Sequence, residues 1–395
     1  MLNKNDLVYG ERLTHKSLTT FLKSHGLSYS VGNKADKIEL INKNIENSKI
    51  NIEELNEWIT RDLLYEGNKH VYILPHDGYN IADIDSKLES IPNKKVHYYD
   101  AQENCITLIL EEKKYRAKYN LKTGELQNAS EVYYFVVVEI LSDIAIVYID
   151  VPTLLFNEEP PSIMKLGEEL CIKESRLVAE YIELISQIFE IQTNESRLAD
   201  YIDVLNFLWG SVNEAITNEL APYTNKILDD TMAYTMHCME KLGLLKSEKE
   251  LEEDQLMKYM QEQSVQHLID QMISIWQYQI MENTGKEFEF ENKYGKIIKE
   301  KFKHINGSVV KISSQNMPVY REALHYSVKG TVKNMKKYGC DELKFTWVSP
   351  TEAEKEIITI LGVSKNYFSI FFTRDYSKEE IKYVLSTIGE IKEGI

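Results

Sequence analysis

The sequence predicts an α+β protein of several domains, and three observations lead to that fold class. Its 395 residues suffice for two or three domains. Its 43% hydrophobic and 27% charged residues are typical of globular proteins. The spacing of apolar residues changes from helical to strand-like and back along the chain. We therefore predict an N-terminal helical hairpin (1–67), an antiparallel β-rich region (68–160), a central helix bundle (161–284) and a small C-terminal α+β domain (285–395).

The first two predicted segments differ in their local signals. In the first, Gly26 and Gly67 follow helical stretches as C-terminal caps, and Asn51 with Glu54 has the spacing of a capping box. In the second, β-branched and aromatic residues dominate, and Lys122-Thr123-Gly124 provides a turn. Short connections between successive strands predict antiparallel pairing. The predicted strands are Ile106–Leu110, Tyr115–Tyr119, Val132–Glu139 and Ile144–Asp150.

The third predicted segment is helical, and the fourth is mixed. Apolar residues recur at three- and four-residue steps from Leu177 to Ile188 and from Leu198 to Leu220. Ser247 and Glu250 open a further helix to about Glu282. Beyond Gly285 we predict a βαβα ending, with helices that begin near Pro350 and Ser377. Its strands are Ser308–Ser313, Leu343–Val348 and Tyr367–Thr373.

The charge of the chain is unevenly distributed. The net charge of −16 excludes a uniformly basic protein that coats nucleic acid. Residues 151–292 alone carry a net charge of −17, however, whereas residues 1–50 carry +3 and residues 293–347 carry +8. Two basic segments are thus candidates for contact with an anionic partner.

The first basic segment resembles a SAP domain, a family of helix–extended loop–helix hairpins. The resemblance lies in Ser17–Leu27, which ends in Gly26-Leu27, and in Gly32–Ile41, which begins with Gly-x-Lys. It covers about 35 residues and implies DNA binding through the start of the second helix. The alternative is a structural or protein-docking hairpin. The residues expected to contact DNA are Lys16, Lys23, Gly32, Asn33, Lys34 and Lys37.

The second basic segment, residues 293–347, alternates lysines with aromatic residues. This combination is expected of a groove that holds phosphates and stacks bases. The alternative is a basic face that complements the acidic residues 151–292. The lysines expected to contact nucleic acid are Lys329, Lys333, Lys336 and Lys337.

The sequence contains no complete catalytic signature, and we expect no metal site and no cofactor. The Glu-x-Lys of Glu342 and Lys344 resembles half of the motif of metal-dependent nucleases, which makes these two residues weak catalytic candidates. Arg321 and His325 resemble the arginine–histidine pair of HEPN ribonucleases. Only three residues separate them here, and we predict a surface pair on a helix.

These observations predict a non-enzymatic DNA-binding accessory protein of bacterial type, acting on double-stranded DNA in genome maintenance or phage defence. The acidic helix bundle would dock a protein partner or mediate self-association. Two alternatives are a scaffold subunit of a protein complex and a metal-dependent nuclease. Four widely separated cysteines indicate reduced thiols, and no apolar run is long enough to span a bilayer. We therefore expect a cytoplasmic protein, in association with the nucleoid and without membrane contact.

Overall fold

The structure is a computed structural model of the whole chain. It describes residues 13–28, 30, 32–65, 69–120, 125–150, 154–160, 171–245, 255–284, 293–304, 309–313, 318–334, 338–348 and 356–395.

The chain divides into two compact units. The first comprises Met1–Ala199 and Ser364–Ser386, and the second comprises Asp200–Val363 and Thr387–Ile395. The division does not coincide with the boundaries predicted after residues 67, 160 and 284. The two units therefore combine parts of the four predicted segments.

The first unit begins with three short helices, α1 (His15–Ser24), α2 (Lys34–Glu46) and α3 (Ile52–Trp58), the last continued by a π-helical turn, Ile59–Leu63. Each of the three helices starts with a reciprocal capping box, in which two otherwise unpaired amide groups are bonded. At the end of α1, Gly26 has a φ of +65°, which glycine adopts without steric cost. This part of the described chain is thus helical, with helices at 15–24, 34–46 and 52–58.

The sheet of the first unit is antiparallel, as the short connections predicted. Its strand order is β2-β3-β4-β5-β1-β11, and β6 pairs with β3. The predicted interruption between residues 110 and 115 is wrong, because β3 runs through it without a break, and the predicted turn at 122–124 lies outside the described residues. The strands are β1 (His70–Pro75), β2 (Lys95–Gln102), β3 (Cys105–Asn120), β4 (Glu125–Ile140), β5 (Ile144–Ile149), β6 (Leu155–Phe156) and β11 (Phe368–Phe372).

Two further helices belong to the first unit, α4 (Ile84–Glu89) and α5 (Glu174–Phe189). The apolar stripe of α5, which includes Leu177 and Tyr181, shares one core with sheet residues such as Val136 and Val138. Its assignment to a central helix bundle is therefore wrong. The apolar face of the sheet needs a cover, and α5 provides it.

The second unit combines helices with a four-stranded antiparallel sheet. Its strand order is β10-β9-β7-β8, and the core includes Phe345 and Trp347 of β9. Its strands are β7 (Gly295–His304), β8 (Val309–Ser313), β9 (Tyr338–Val348) and β10 (Glu356–Val363). The other α-helices among the described residues are α6 (Glu195–Thr224), α7 (Leu228–Lys241), α8 (Gln255–Thr284), α9 (Ala323–Asn334) and α10 (Lys378–Gly394).

The predicted βαβα ending is wrong in one element. Residues 349–355 lie outside the described part of the chain, but Glu356–Val363 forms a strand where a helix was expected to continue. The run Ile357-Ile358-Thr359-Ile360 is rich in β-branched residues, and it pairs with β9 from Glu356↔Val348 to Gly362↔Glu342. The capping-box spacing near Pro350 is thus outweighed by strand pairing.

A carboxylate at the start of α5 joins the helix to strand β1. Glu174 lies 3.0 Å from Nδ1 of His70 and accepts a hydrogen bond of 3.1 Å from the hydroxyl of Tyr72. The hydrogen bond with His70 holds the pKa of Glu174 below its usual range, although partial burial opposes that shift. The ionised carboxylate is therefore the form that the folded protein favours.

We expect Glu174→Gln to lower the free energy of unfolding at pH 7 by less than about 1 kcal/mol, because the side chain is half exposed and screened by solvent. The folded pKa is depressed, so this contribution is present above the unfolded pKa of about 4.3 and is lost as the pH falls through the folded pKa. Urea denaturation at pH 7 and at about pH 3 measures the difference. Glu183→Gln, at an exposed position of the same helix, is the control; a loss for Glu174→Gln as large at low pH as at pH 7 would contradict the assignment.

Candidate nucleic-acid interface

The helical hairpin exposes some of its predicted DNA contacts. Lys16 and Lys23 are exposed on α1, Gly32 and Asn33 are exposed just before α2, and Lys34 is half-buried in the first turn of α2. These five residues thus remain accessible at least in part.

The amino end of α2 is already occupied by its own capping box. The side chain of Asn33 accepts a hydrogen bond of 3.1 Å from the amide of Asp36, and the Asp36 carboxylate accepts one of 3.0 Å from the amide of Asn33. A Cβ atom at Gly32 would lie 3.0 Å from that carboxylate. A negative group therefore stands where the resemblance implies a DNA phosphate.

Lys37 does not fit its predicted role. Its side chain is only 1% exposed, and its ammonium group donates to the hydroxyl of Thr19 on α1. Lys37 therefore links the two helices from inside the hairpin.

The second unit carries a surface that we call the lysine face: Lys299, Lys301 and Lys303 of β7, Lys311 of β8 and Lys344 of β9. Lys301 is paired in register with Lys311, and Lys299 with both Ser313 and Lys344, so all five side chains project from the same side of the sheet. Lys303 and Lys311 are exposed, and the other three are half-buried. Alternate strand residues lie about 6.6 Å apart, so the ammonium groups follow the strand in a row.

Two carboxylates of β9 neutralise part of this face. Lys299 pairs with Glu342, and Lys301 lies 2.6 Å from Asp341, whose hydrogen bond raises the pKa of that lysine. Among the described residues, no carboxylate lies within ion-pair distance of Lys303, Lys311 or Lys344. The face therefore keeps a local excess of positive charge.

Five aromatic residues of this segment do not accompany the lysines. Phe302, Phe345 and Trp347 are almost completely buried, as are Tyr320 and Tyr326. On strands β7 and β9, alternation places Phe302, Phe345 and Trp347 opposite the lysines, and Phe302 packs against Trp209 of α6. The expectation that aromatic side chains stack bases on this surface is therefore wrong for these five.

Beneath the lysine face lies a buried polar network centred on Glu300 and His325, both fully buried. Nδ1 of His325 lies 2.8 Å from one carboxylate oxygen of Glu300, and the indole NH of Trp209 donates to the other at 2.9 Å. Nε2 of His325 lies 3.1 Å from Oδ1 of Asn213, whose amide nitrogen donates to the carbonyl of Trp209. Each ring nitrogen of His325 thus lies within hydrogen-bond distance of a side-chain oxygen, and the buried carboxylate of Glu300 has two partners.

Two sequence predictions on α9 are corrected by this network. His325 is not part of a surface pair, because it is fully buried against Glu300. Lys329 is 6% exposed, and its ammonium group donates to Thr217 at 3.0 Å and to Gln277 at 3.1 Å. Lys329 therefore stabilises the interior and does not fit its predicted role in DNA contact. Lys333 is a residue of α9, whereas Lys336 and Lys337 lie outside the described residues.

The weak nuclease candidates lie within the lysine face. Glu342 and Lys344 are two residues apart on β9 and therefore project from the same side of the sheet. Glu342 forms an ion pair with Lys299. Within the described parts of the chain, no group of three or more histidine, cysteine or acidic side chains is arranged to hold a metal ion. The neighbouring Cys340 is buried, and burial together with the charge of Glu300 raises the pKa of its thiol well above the usual range. A thiol held protonated in this way is a poor nucleophile.

No family model matches the chain, and no match is found among the curated proteins or the solved structures. The resemblance of the hairpin to SAP domains therefore depends on its own residues. In the described part of the chain, no helix has the length and apolar character needed to cross a bilayer.

We expect Lys37→Glu to destabilise the hairpin by about 2–4 kcal/mol, because it buries a carboxylate in place of an ammonium group that has a partner. Hydrogen exchange of the amides in residues 15–46 measures the local loss of protection. Lys16→Glu, at an exposed position of α1, is the matched control and should leave exchange unchanged. Equal protection in the two variants would contradict the buried placement of Lys37.

We expect His325→Phe to lower the free energy of unfolding by about 3–5 kcal/mol, because the buried carboxylate of Glu300 loses its contact with the imidazole ring. The double variant His325→Phe/Glu300→Leu should be more stable than His325→Phe alone, since it removes the unpaired carboxylate. Urea denaturation checks both expectations, with Leu324→Ala on the exposed side of α9 as control. A double variant less stable than the single one would argue against this contact between Glu300 and His325.

Proposed function

We propose that the protein is a non-enzymatic DNA-binding protein that holds the phosphate backbone of double-stranded DNA on the lysine face. The observation that carries this proposal is the register that sets Lys301 beside Lys311 and Lys299 beside Lys344 on one side of the sheet. Phosphate groups are the nucleic-acid component that an array of ammonium groups binds best.

The side chains available on this face favour phosphate contact over base recognition. Its five cationic residues are all lysines, which act as point charges and lack the planar fork with which arginine reads guanine. Phe302, Phe345 and Trp347, which could stack on unpaired bases, lie inside the unit. The proposal therefore specifies duplex DNA bound with little dependence on sequence.

The net charge of −16 is compatible with such binding. At physiological ionic strength, charges act over a Debye length of about 8 Å, so a phosphate on the lysine face responds mainly to the side chains nearest to it. Among the described residues, those include the five ammonium groups and the carboxylates of Asp341 and Glu342.

The hairpin adds a second, smaller surface to the proposal. Lys16 and Lys23 are the exposed lysines of α1, and Asn33 and Lys34 lie at the start of α2. Because the Asp36 carboxylate occupies the helix end, we assign the hairpin an auxiliary role. The bacterial setting in genome maintenance or phage defence belongs to the same proposal.

We expect Lys303→Glu/Lys311→Glu to weaken duplex binding at least about tenfold at ~100 mM salt and to reduce the slope of log K against log[salt] by about 2. Each substitution removes one phosphate contact and the counterion release that accompanies it. Fluorescence anisotropy with AT-rich duplex, GC-rich duplex, single-stranded DNA and RNA across a salt series measures both quantities.

Lys95→Glu is the matched control, since Lys95 is an exposed lysine on strand β2 of the first unit. It should leave the affinity and the salt slope unchanged. A wild-type protein that retains no duplex at ~100 mM salt would contradict the proposal. So would a double variant with the affinity and slope of the wild type.

A further inference from the structure

Strand β9 carries an irregularity next to the lysine face. Cys340 and Leu343 are both buried in the core, although side chains on the same side of a regular strand are separated by an even number of residues. The pairing with β7 passes over Asp341 and leaves it as an extra residue between Cys340 and Glu342. This is a β-bulge, and it allows two consecutive side chains, Asp341 and Glu342, to project from the lysine face.

The bulge supplies two half-buried lysines of β7 with a carboxylate each. Lys301 lies 2.6 Å from Asp341, and Lys299 forms an ion pair with Glu342. The four side chains are between 20% and 29% exposed, so each of them can be reached from solvent. Because the lysine side chain is long and flexible, its ammonium group can turn from the carboxylate to a phosphate group without a movement of the backbone.

The two ion pairs lie beside lysines whose charge is not compensated. Lys311 is paired in register with Lys301, and Lys344 with Lys299. Among the described residues, no carboxylate lies within ion-pair distance of Lys311 or Lys344. Neighbouring strands are about 4.8 Å apart, so a phosphate backbone that follows this row of lysines meets both ion pairs.

We propose that Asp341 and Glu342 are resident counterions of the lysine face, which duplex DNA displaces from Lys301 and Lys299 when it binds. This inference rests on the proposed function and adds to it the two residues that limit the affinity. A carboxylate beside a phosphate repels it, and the lysine that changes partner no longer screens that repulsion. Loss of either carboxylate should therefore strengthen binding.

The exchange also affects the salt dependence of binding. Duplex DNA releases about 0.9 counterions for each phosphate that a protein neutralises. A carboxylate that loses its lysine takes up a cation from solution, and this uptake offsets the release. Asp341 and Glu342 are therefore expected to reduce the slope of log K against log[salt] by about 1 each.

Fluorescence anisotropy of the full chain with duplex DNA, from about 50 to about 200 mM salt, tests the proposal. Asp341→Asn should tighten binding about three- to tenfold at ~100 mM salt and steepen the slope by about 1. Asp341→Asn/Glu342→Gln should steepen it by about 2. Asp85→Asn is the matched control, because it makes the same change in net charge at an exposed position of α4 in the first unit, and it should alter neither quantity.

Lysine acylation provides a second measurement that does not need DNA. Asp341 accepts a hydrogen bond from Lys301 and raises the pKa of that lysine, which lowers the fraction of free amine. The rate at which an amine-reactive ester labels Lys301, followed by peptide mass spectrometry, should therefore rise in Asp341→Asn. The exposed Lys303 on the same strand is the internal reference, and its rate should stay the same.

The results distinguish this proposal from the proposed function. If the wild type binds duplex DNA and both variants share its affinity and slope, the role of the two carboxylates is overturned and the proposed function stands. Variants that bind where the wild type retains no duplex would support the role of the carboxylates and count against the proposed function. No binding by any of the three proteins would overturn both, and an unchanged labelling rate of Lys301 in Asp341→Asn would overturn the present proposal alone.

Discussion

Strand alternation on β7 is the constraint on which the lysine face depends, and the contact between Glu300 and His325 marks the interior side of that strand. With its carboxylate held by His325 and by the indole NH of Trp209, Glu300 is directed inward together with Phe302. Strand alternation then places Lys299, Lys301 and Lys303 on the opposite side. A shift of one residue would bury three ammonium groups and expose Phe302, which makes the alternative register very unfavourable. The lysine face is thus a consequence of the same strand alternation that buries Glu300 and Phe302.

Lysines inside the protein follow the same rule that a buried charge needs partners. Lys114 of the first unit is fully buried and lies 2.9 Å from Glu112 and 2.8 Å from the side-chain oxygen of Asn157. Lys37 and Lys329 are buried with hydroxyl and amide acceptors instead. In this chain a lysine therefore serves either as an internal donor or as surface charge. A count of lysines in a segment overestimates the charge that the segment presents to a partner.

Sequence patterns predicted the elements whose buried side is apolar throughout. The stripe from Leu198 to Leu220 became α6, and the glycine-capped hairpin formed as expected. Strand β7 was missed because charged residues interrupt its apolar side at Glu300 and occupy its other side. Strict alternation of Ile298, Glu300 and Phe302 was the available signal, but a carboxylate in a core position is recognisable only once His325 is known to meet it. The burial of Lys329 likewise depends on Thr217 and Gln277, which lie 112 and 52 residues away in the chain.

The lysine face shows how a chain with a net charge of −16 presents a cationic surface. Among the described residues, two carboxylates form ion pairs with two of the five lysines of this face, which leaves a local excess of positive charge. Salt screens charge–charge interactions beyond about 8 Å. The electrostatic behaviour of a surface therefore depends on its own residues more than on the net charge of −16. The net negative charge then acts mainly on the long-range approach of an anionic partner, which it opposes. Close to the lysine face, the local excess of positive charge attracts the same partner.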